Sequence, residues 1–246
     1  MNMLSILKKE LRSHFSSLIA YVVIAMFLIV AGYSFYTYLV MFLTFVGSDL
    51  KVGLWQYTFH YLRFAPLTLI PLLTMRLFAE EKKMGTIELL FTAPLRDIDI
   101  ILGKYIACLL VYMLMLLLTL LYPAMIALYF GVEPGPLFAC YLGLFLLGAA
   151  CIACGTFISS LTENQIVASI VTIAVLLTMW NLDWNEGIAG QQTIAVLHQI
   201  SLSEHFLNFI KGVIDTDSVV YYLSLVCFFL FLTRCSLAAR TWRGLK

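Results

Sequence analysis

Four features of the sequence have residue types and spacings that could do chemistry. Cys151 and Cys154 form a CxxC pair, the spacing of a redox couple or of half a metal site. His198 and His205 could share one helix face as metal ligands. Gly103-Lys104 has the ending of a phosphate-binding loop. Arg63 is a cation inside an apolar stretch, the setting in which membrane carriers build substrate and ion sites.

Context removes each of them. The CxxC lies within GAACIACGT, inside a long apolar run, where small residues serve the close approach of helices. All six cysteines fall inside or at the edge of such runs, so no disulfide framework is expected. Seven helical residues separate two histidines by about 10.5 Å, too far for one ion held at about 2 Å. Gly103-Lys104 lacks both the upstream glycine and the following hydroxyl of a nucleotide-binding loop. Neither H-E-x-x-H nor G-x-S-x-G occurs. Arg63 stands about two turns from the outer end of its span and is expected to snorkel outward. No catalytic, cofactor-binding or metal-ligating residue is therefore expected. The middles of the apolar runs also lack the charges of an ion-coupled carrier.

The elements that would position any function are membrane helices. The chain has 246 residues, 62% of them hydrophobic and 12% charged, about half the charge of an ordinary soluble domain, where ~25% is usual. The net charge of +1 and the lack of a basic block argue against nucleic acid as a partner. The sequence predicts an all-α polytopic membrane protein forming one domain over residues 1–246. Six spans are read at about Leu18–Val46, Tyr57–Met75, Ile100–Phe130, Leu137–Ser159, Ile166–Leu182 and Val219–Leu237, the fifth of marginal length. Pro66 and Pro71 should kink the second.

Lysine and arginine set the orientation. Twelve fall on the side that carries the N-terminal Lys8, Lys9 and Arg12, and three on the other. Both termini are thus expected in the cytoplasm, with a lipid bilayer as surroundings. Met3, Leu4, Leu7, Leu11 and Phe15 recur at helical spacing before the first span. Residues 1–17 read as an amphipathic helix on the inner membrane surface, with a simple basic flank as the plainer reading. The long outer loop, 183–218, carries Leu202, Phe206, Phe209, Ile210 and Val213 at helical spacing, a face that could dip into the membrane. Asp215 to Ser218 offer caps for the last span.

Residues 76–104, between the second and third spans, form the largest cytoplasmic loop. Arg76 to Lys83 can continue helically, with Glu80, Glu81, Lys82 and Lys83 as its charged end, until Gly85 breaks the helix. Thr86 can cap a short helix of Ile87, Glu88, Leu89, Leu90 and Phe91, and Pro94 breaks again. An exposed apolar knot of this kind needs cover. The residues alone leave it open between an anchor in the headgroups and a helix docked in a groove of a soluble partner.

The pattern E-E-K-K-x-G-T-I-E-L-L-x-x-x-P-L, followed by Gly103-Lys104 opening a span, resembles the first cytoplasmic loop of ABC type-2 permeases. The likeness is to the gliding-motility and nitrous-oxide-reductase-maturation permeases, and His205 to Leu223 resembles them too. The resemblance implies a type V exporter-like fold, two permease chains, identical or homologous, and two copies of an ATPase subunit beneath them. ATP and magnesium would then be bound by the partner ATPase, and this chain would be no enzyme. The coupling helix of the family falls on Gly85, Thr86, Ile87, Glu88, Leu89, Leu90 and Phe91, flanked by Glu80, Glu81, Lys82, Lys83 and Pro94. The short turn Thr162-Glu163-Asn164 would be a second, smaller contact. The expected function is the permease subunit of an ATP-binding-cassette transporter, exporting an unspecified substrate. Two alternatives stand beside it. One is a transmitter of ATP-driven movement to an extracytoplasmic partner at the 183–218 loop; the other is a secondary transporter.

Overall fold

A computed structural model describes residues 3–46, 53–86, 97–129, 131, 133–182 and 199–243. Among these residues every regular element is a helix. Helix α1 (Met3–Ser16) leads through an elbow at Ser17 into α2 (Leu18–Met41), which widens into a π-turn at Phe42–Val46. Helices α3 (Gly53–Leu62), α4 (Phe64–Thr74) and α5 (Arg76–Lys83) follow one another as jointed pieces of one rod. Helices α6 (Asp97–Thr119) and α7 (Leu121–Tyr129) form a second jointed rod. Helices α8 (Pro134–Leu161), α9 (Gln165–Trp180), α10 (Leu202–Ile210) and α11 (Thr216–Arg243) complete the described chain.

Among the described residues, five helices are long and apolar enough to cross a membrane: Leu18–Thr44, Gly53–Lys83, Asp97–Leu128, Pro134–Leu161 and Thr216–Ala239. Gln165–Trp180 is apolar but has only 16 residues.

The joints have identifiable causes. Proline lacks the N–H that would bond the carbonyl four residues back, and its ring clashes there. Pro66 therefore loosens the rod at Leu62, beside the break at Arg63, and Pro123 loosens Thr119, beside the break at Leu120. Pro71 opens no joint at Leu67. The joint at Met75 has another origin, described below.

Helix α8 is the post around which the others pack. Its middle is buried on every side, as a helix apolar all round should be. Three glycines set the closeness. A Cβ at Gly143 would collide with Phe209, one at Gly148 with the ring of Tyr112, and one at Gly155 with Thr74. Tyrosine hydroxyls on α6 then reach α8: Tyr112 donates to the Leu144 carbonyl at 2.7 Å and Tyr105 to that of Ala149 at 3.3 Å. Cys151 and Cys154, on α8, are free thiols and fully buried.

Two placements differ from those the sequence suggests. The apolar face of α10 does not turn to lipid: Leu202, Phe206, Phe209 and Ile210 are buried against the bundle, and Val213, beyond the helix, is exposed. Nor does Arg63 snorkel. It is 8% exposed, donates to His60 Nε2 at 3.1 Å, and stacks over the rings of Trp180 and Phe64 at 5.0 and 5.2 Å. The indole that completes its cage comes from α9, more than a hundred residues further along the chain.

Candidate functional site

Helix α5 carries the charged run that the sequence places before the coupling segment. Its start is set by an intruder. Ser159 of α8 donates to the Met75 carbonyl at 3.1 Å and accepts from the amides of Phe78 and Ala79 at 3.1 and 3.2 Å. A hydroxyl thereby replaces the Ala79-to-Met75 rung of the helical ladder, and an inserted side chain of this sort bends a helix. Its end is set by Gly85, at φ +69°. Gly85 N–H bonds the Lys82 carbonyl at 3.1 Å and Thr86 N–H that of Glu81 at 3.0 Å, the paired bonds of a Schellman ending. The Thr86 hydroxyl turns back onto the same Glu81 carbonyl, at 3.3 Å.

Between these two stops the charges divide. Lys83 faces out, and Glu80 is partly exposed. Lys82 turns inward, 7% exposed, and donates to the Ser160 carbonyl at the end of α8. This contact brings α5 beside the second predicted stretch. Thr162 closes α8, and its hydroxyl accepts from Asn164 N–H at 3.1 Å. Asn164 caps α9 by accepting from Ile166 N–H at 3.0 Å, while Glu163 is exposed between them. Ile87, Glu88, Leu89, Leu90, Phe91 and Pro94 lie outside the described residues, as does the 183–198 part of the outer loop.

The sequence reading missed a charged clasp. Lys104, on α6, is 1% exposed. Its ammonium lies 2.9 Å from Glu10 and 3.0 Å from Glu81, over the ring of Phe78 at 5.3 Å. Lys9 adds contacts of 3.3 Å to Glu81 and 3.9 Å to Glu10. Two ammonium groups and two carboxylates thus neutralise each other where α1, α5 and α6 meet. An unpaired charge could not remain in such a place. Ile6, one turn before Glu10, sits on Gly103, where a Cβ would stand 2.9 Å from Ile6 Cγ2. Gly103-Lys104 is therefore the seat of α1. Of the proposed apolar stripe of α1, Leu4 and Phe15 face outward, 71% and 41% exposed. The protein-facing side is Ile6 with Glu10.

At the other end of α1, Arg76 Nη1 donates to Ser17 Oγ at 2.8 Å. His14 is half-buried beside them. Burial holds its imidazole below the usual value, with Lys104 and Arg76 pushing the same way and Glu10 opposing. Among the described residues no group of His, Cys, Asp and Glu is placed to hold a metal ion. His205 instead stacks on Tyr221 at 4.0 Å, beside Ser218.

Such an arrangement has no nucleophile poised beside a base. It has a short helix stopped by a glycine, pinned to α8 and clasped to α1 and α6, and it is built to hold a position. Residues 52–180 match the family model described as ABC-2 family transporter protein, over more than half of the chain. The chain belongs to the ABC-2 transporter family. It is accordingly a multi-pass membrane protein. The match holds both α5 with its Gly85 turn and the Thr162–Asn164 turn; α1, α2, α10 and α11 lie outside it. No curated protein matches the chain.

Proposed function

We propose that this ABC-2 family chain is the membrane-spanning permease subunit of an ATP-binding-cassette transporter. A separate ATPase, in two copies, supplies the energy, and a second permease chain, identical or homologous, completes the pore. The observation that carries the reading is the outlet at Gly85: α5 stops there, held at Ser159, at Ser160 and by the clasp, next to the Thr162–Asn164 turn. A helix of Ile87 to Phe91 following that outlet would be the handle gripped by an ATPase. The match over residues 52–180 supports this assignment. The 16-residue α9 then serves as the sixth span, both termini lie in the cytoplasm, and α1 rests on the inner surface of a bacterial plasma membrane. Within the family, the likeness of the coupling loop points to the gliding-motility and nitrous-oxide-reductase-maturation permeases. ATP must favour one arrangement of the pair over the other for movement to follow.

A second reading within the same family turns on the hydroxyls that could line a path between two permease chains, Tyr33, Thr37, Thr44 and Tyr112. Tyr112 is fully buried and bonded to Leu144, which takes it away from any such path. Tyr33, Thr37 and Thr44 are exposed on α2 and the turn after it, and Thr44 bonds its own helix at Val40. The loss of Tyr112 favours a transmitter of movement to an outer partner at the 183–218 loop; the three exposed hydroxyls favour a path.

The test is co-purification with the ATPase, followed by vanadate-sensitive hydrolysis and transport in vesicles. Gly85→Pro, or Leu89→Asp with Leu90→Asp, should separate hydrolysis from transport while the helices still insert. Normal assembly and normal transport in those variants would sink the coupling assignment. A chain that purified alone and ran on an ion gradient would sink the class.

A further inference from the structure

The elbow between α1 and α2 encloses a cleft of about 320 Å³ that shares Glu80, Glu81 and Thr86 with the coupling segment. Its floor is apolar, made by Ile19, Ala20, Leu72, Leu73 and Leu77. Its rim is polar and of mixed charge, with Lys9, His14, Arg76, Glu80 and Glu81. This two-part polarity, at the level where α1 would meet the bilayer surface, is that of a phospholipid: a charged head beside an apolar chain.

The ion pairs select the head. Lys104 is occupied by Glu10 and Glu81. Arg76 and Glu80 are joined only by a 3.9 Å contact, with side chains 33% and 38% exposed. Charge-assisted hydrogen bonds run at about 2.7–2.9 Å. A phosphate on Arg76 and an ammonium on Glu80 would each exchange this long contact for a short one, and would add no net charge. Ser17 already orients the guanidinium. A purely anionic head would add negative charge next to Glu10, Glu80 and Glu81, and a choline head has no N–H for Glu80. We infer that the elbow binds a zwitterionic amino-phospholipid, with its phosphate on Arg76, its ammonium on Glu80 and its acyl chain leaving over Leu72 and Leu73. This rests on α1 lying at the membrane surface, and it is independent of any ATPase.

The test is native mass spectrometry of the full chain in detergent, exchanged into equal amounts of phosphatidylethanolamine, phosphatidylcholine and phosphatidylglycerol. The wild type should retain phosphatidylethanolamine above the other two. Glu80→Gln, at a partly exposed position, keeps the shape and the fold. It should cut the ethanolamine-over-choline preference about threefold, the scale of a partly exposed ion pair. Arg76→Gln should lower retention of both. Equal retention of all three lipids, or an unchanged preference in Glu80→Gln, would overturn the site. Soluble phosphoethanolamine binding as tightly as the lipid would overturn the lipid as the source of that head. Since the readout is bound lipid, its failure and a failure of coupling remain distinguishable.

Discussion

Replacing Lys104 by alanine would strip the clasp of its central charge. The two carboxylate oxygens it holds stand within 3.0 Å of the ammonium, hence at most twice that distance apart. Two negative charges about 6 Å apart repel by roughly 3 kcal/mol at an effective dielectric of ~20. Lys9 offsets a part, but its side chain is 57% exposed and its contact to Glu10 is 3.9 Å long. Breaking a buried ion pair from one side costs about 3–5 kcal/mol in general. A loss of ~3 kcal/mol in the docking of α1 is the expected figure, about two decades in its equilibrium. Hydrogen exchange of the α1 amides, measured on the chain in nanodiscs, reads it directly: opening should become roughly a hundredfold more frequent, while the amides of α8 stay protected. The variant Glu10→Gln/Glu81→Gln/Lys104→Met removes every charge that Lys104 served, and should recover most of the protection. Wild-type exchange in Lys104→Ala, or a triple variant as labile as the single one, would refute the clasp as what holds α1.

Three further outcomes follow from the same structure. Gly148→Ala drives a methyl into Tyr112 and should destabilise the bundle by about 1–3 kcal/mol, read as a lower unfolding midpoint in detergent; Gly135→Ala, where a Cβ meets open space, should leave it unchanged. Ser159→Ala removes the acceptor of two buried amides, at about 1–3 kcal/mol, and exchange at Phe78 and Ala79 should rise before that elsewhere in α5. For His14 the sign is set by burial: the docked imidazole has the lower pKa, so undocked α1 takes up more protons in between. Docking should hold steady above the ordinary imidazole value of 6.5 and weaken as pH falls below it. A fluorescence-quenching pair on α1 and α6 would follow this change, and His14→Gln should flatten it.

Local signals in the sequence foretell local structure well. Gly85 ends α5, Asn164 caps α9, Asp215 offers its carboxylate to Asp217 N–H at the start of α11 at 3.4 Å, and the apolar runs are helices. Partners far along the chain escape it. Glu10 stands among cations on an amphipathic helix and reads as part of a solvated face. It is buried because Lys104, ninety-four residues away, arrives beside it. No proline accounts for the joint at Met75, since Pro71 would act four residues back at Leu67, and its agent is a serine on another helix. The periodicity of α10 was plain, and its destination was not: lipid and protein interior are both apolar, so one stripe suits either. For the candidate site the charged end of α5 and the Thr162–Asn164 turn were legible. The clasp that steadies them was not.

The position of α8 in the chain has a consequence for biogenesis. The three rods that precede it, α2, α3 to α5, and α6 with α7, enter the membrane before the post they pack against exists. Thr74, Tyr112 and Phe78 gain their partners only when Gly155, Leu144 and Ser159 have been made. A nascent chain shorter than about Leu161 therefore has spans that already touch, through pairs such as Phe27 with Tyr112 and Phe35 with Trp55, but it lacks the post on which they close and must wait for the fourth span to arrive. Substitutions of Gly143, Gly148 or Gly155 should act earliest here, as chains that insert normally and are degraded before they consolidate.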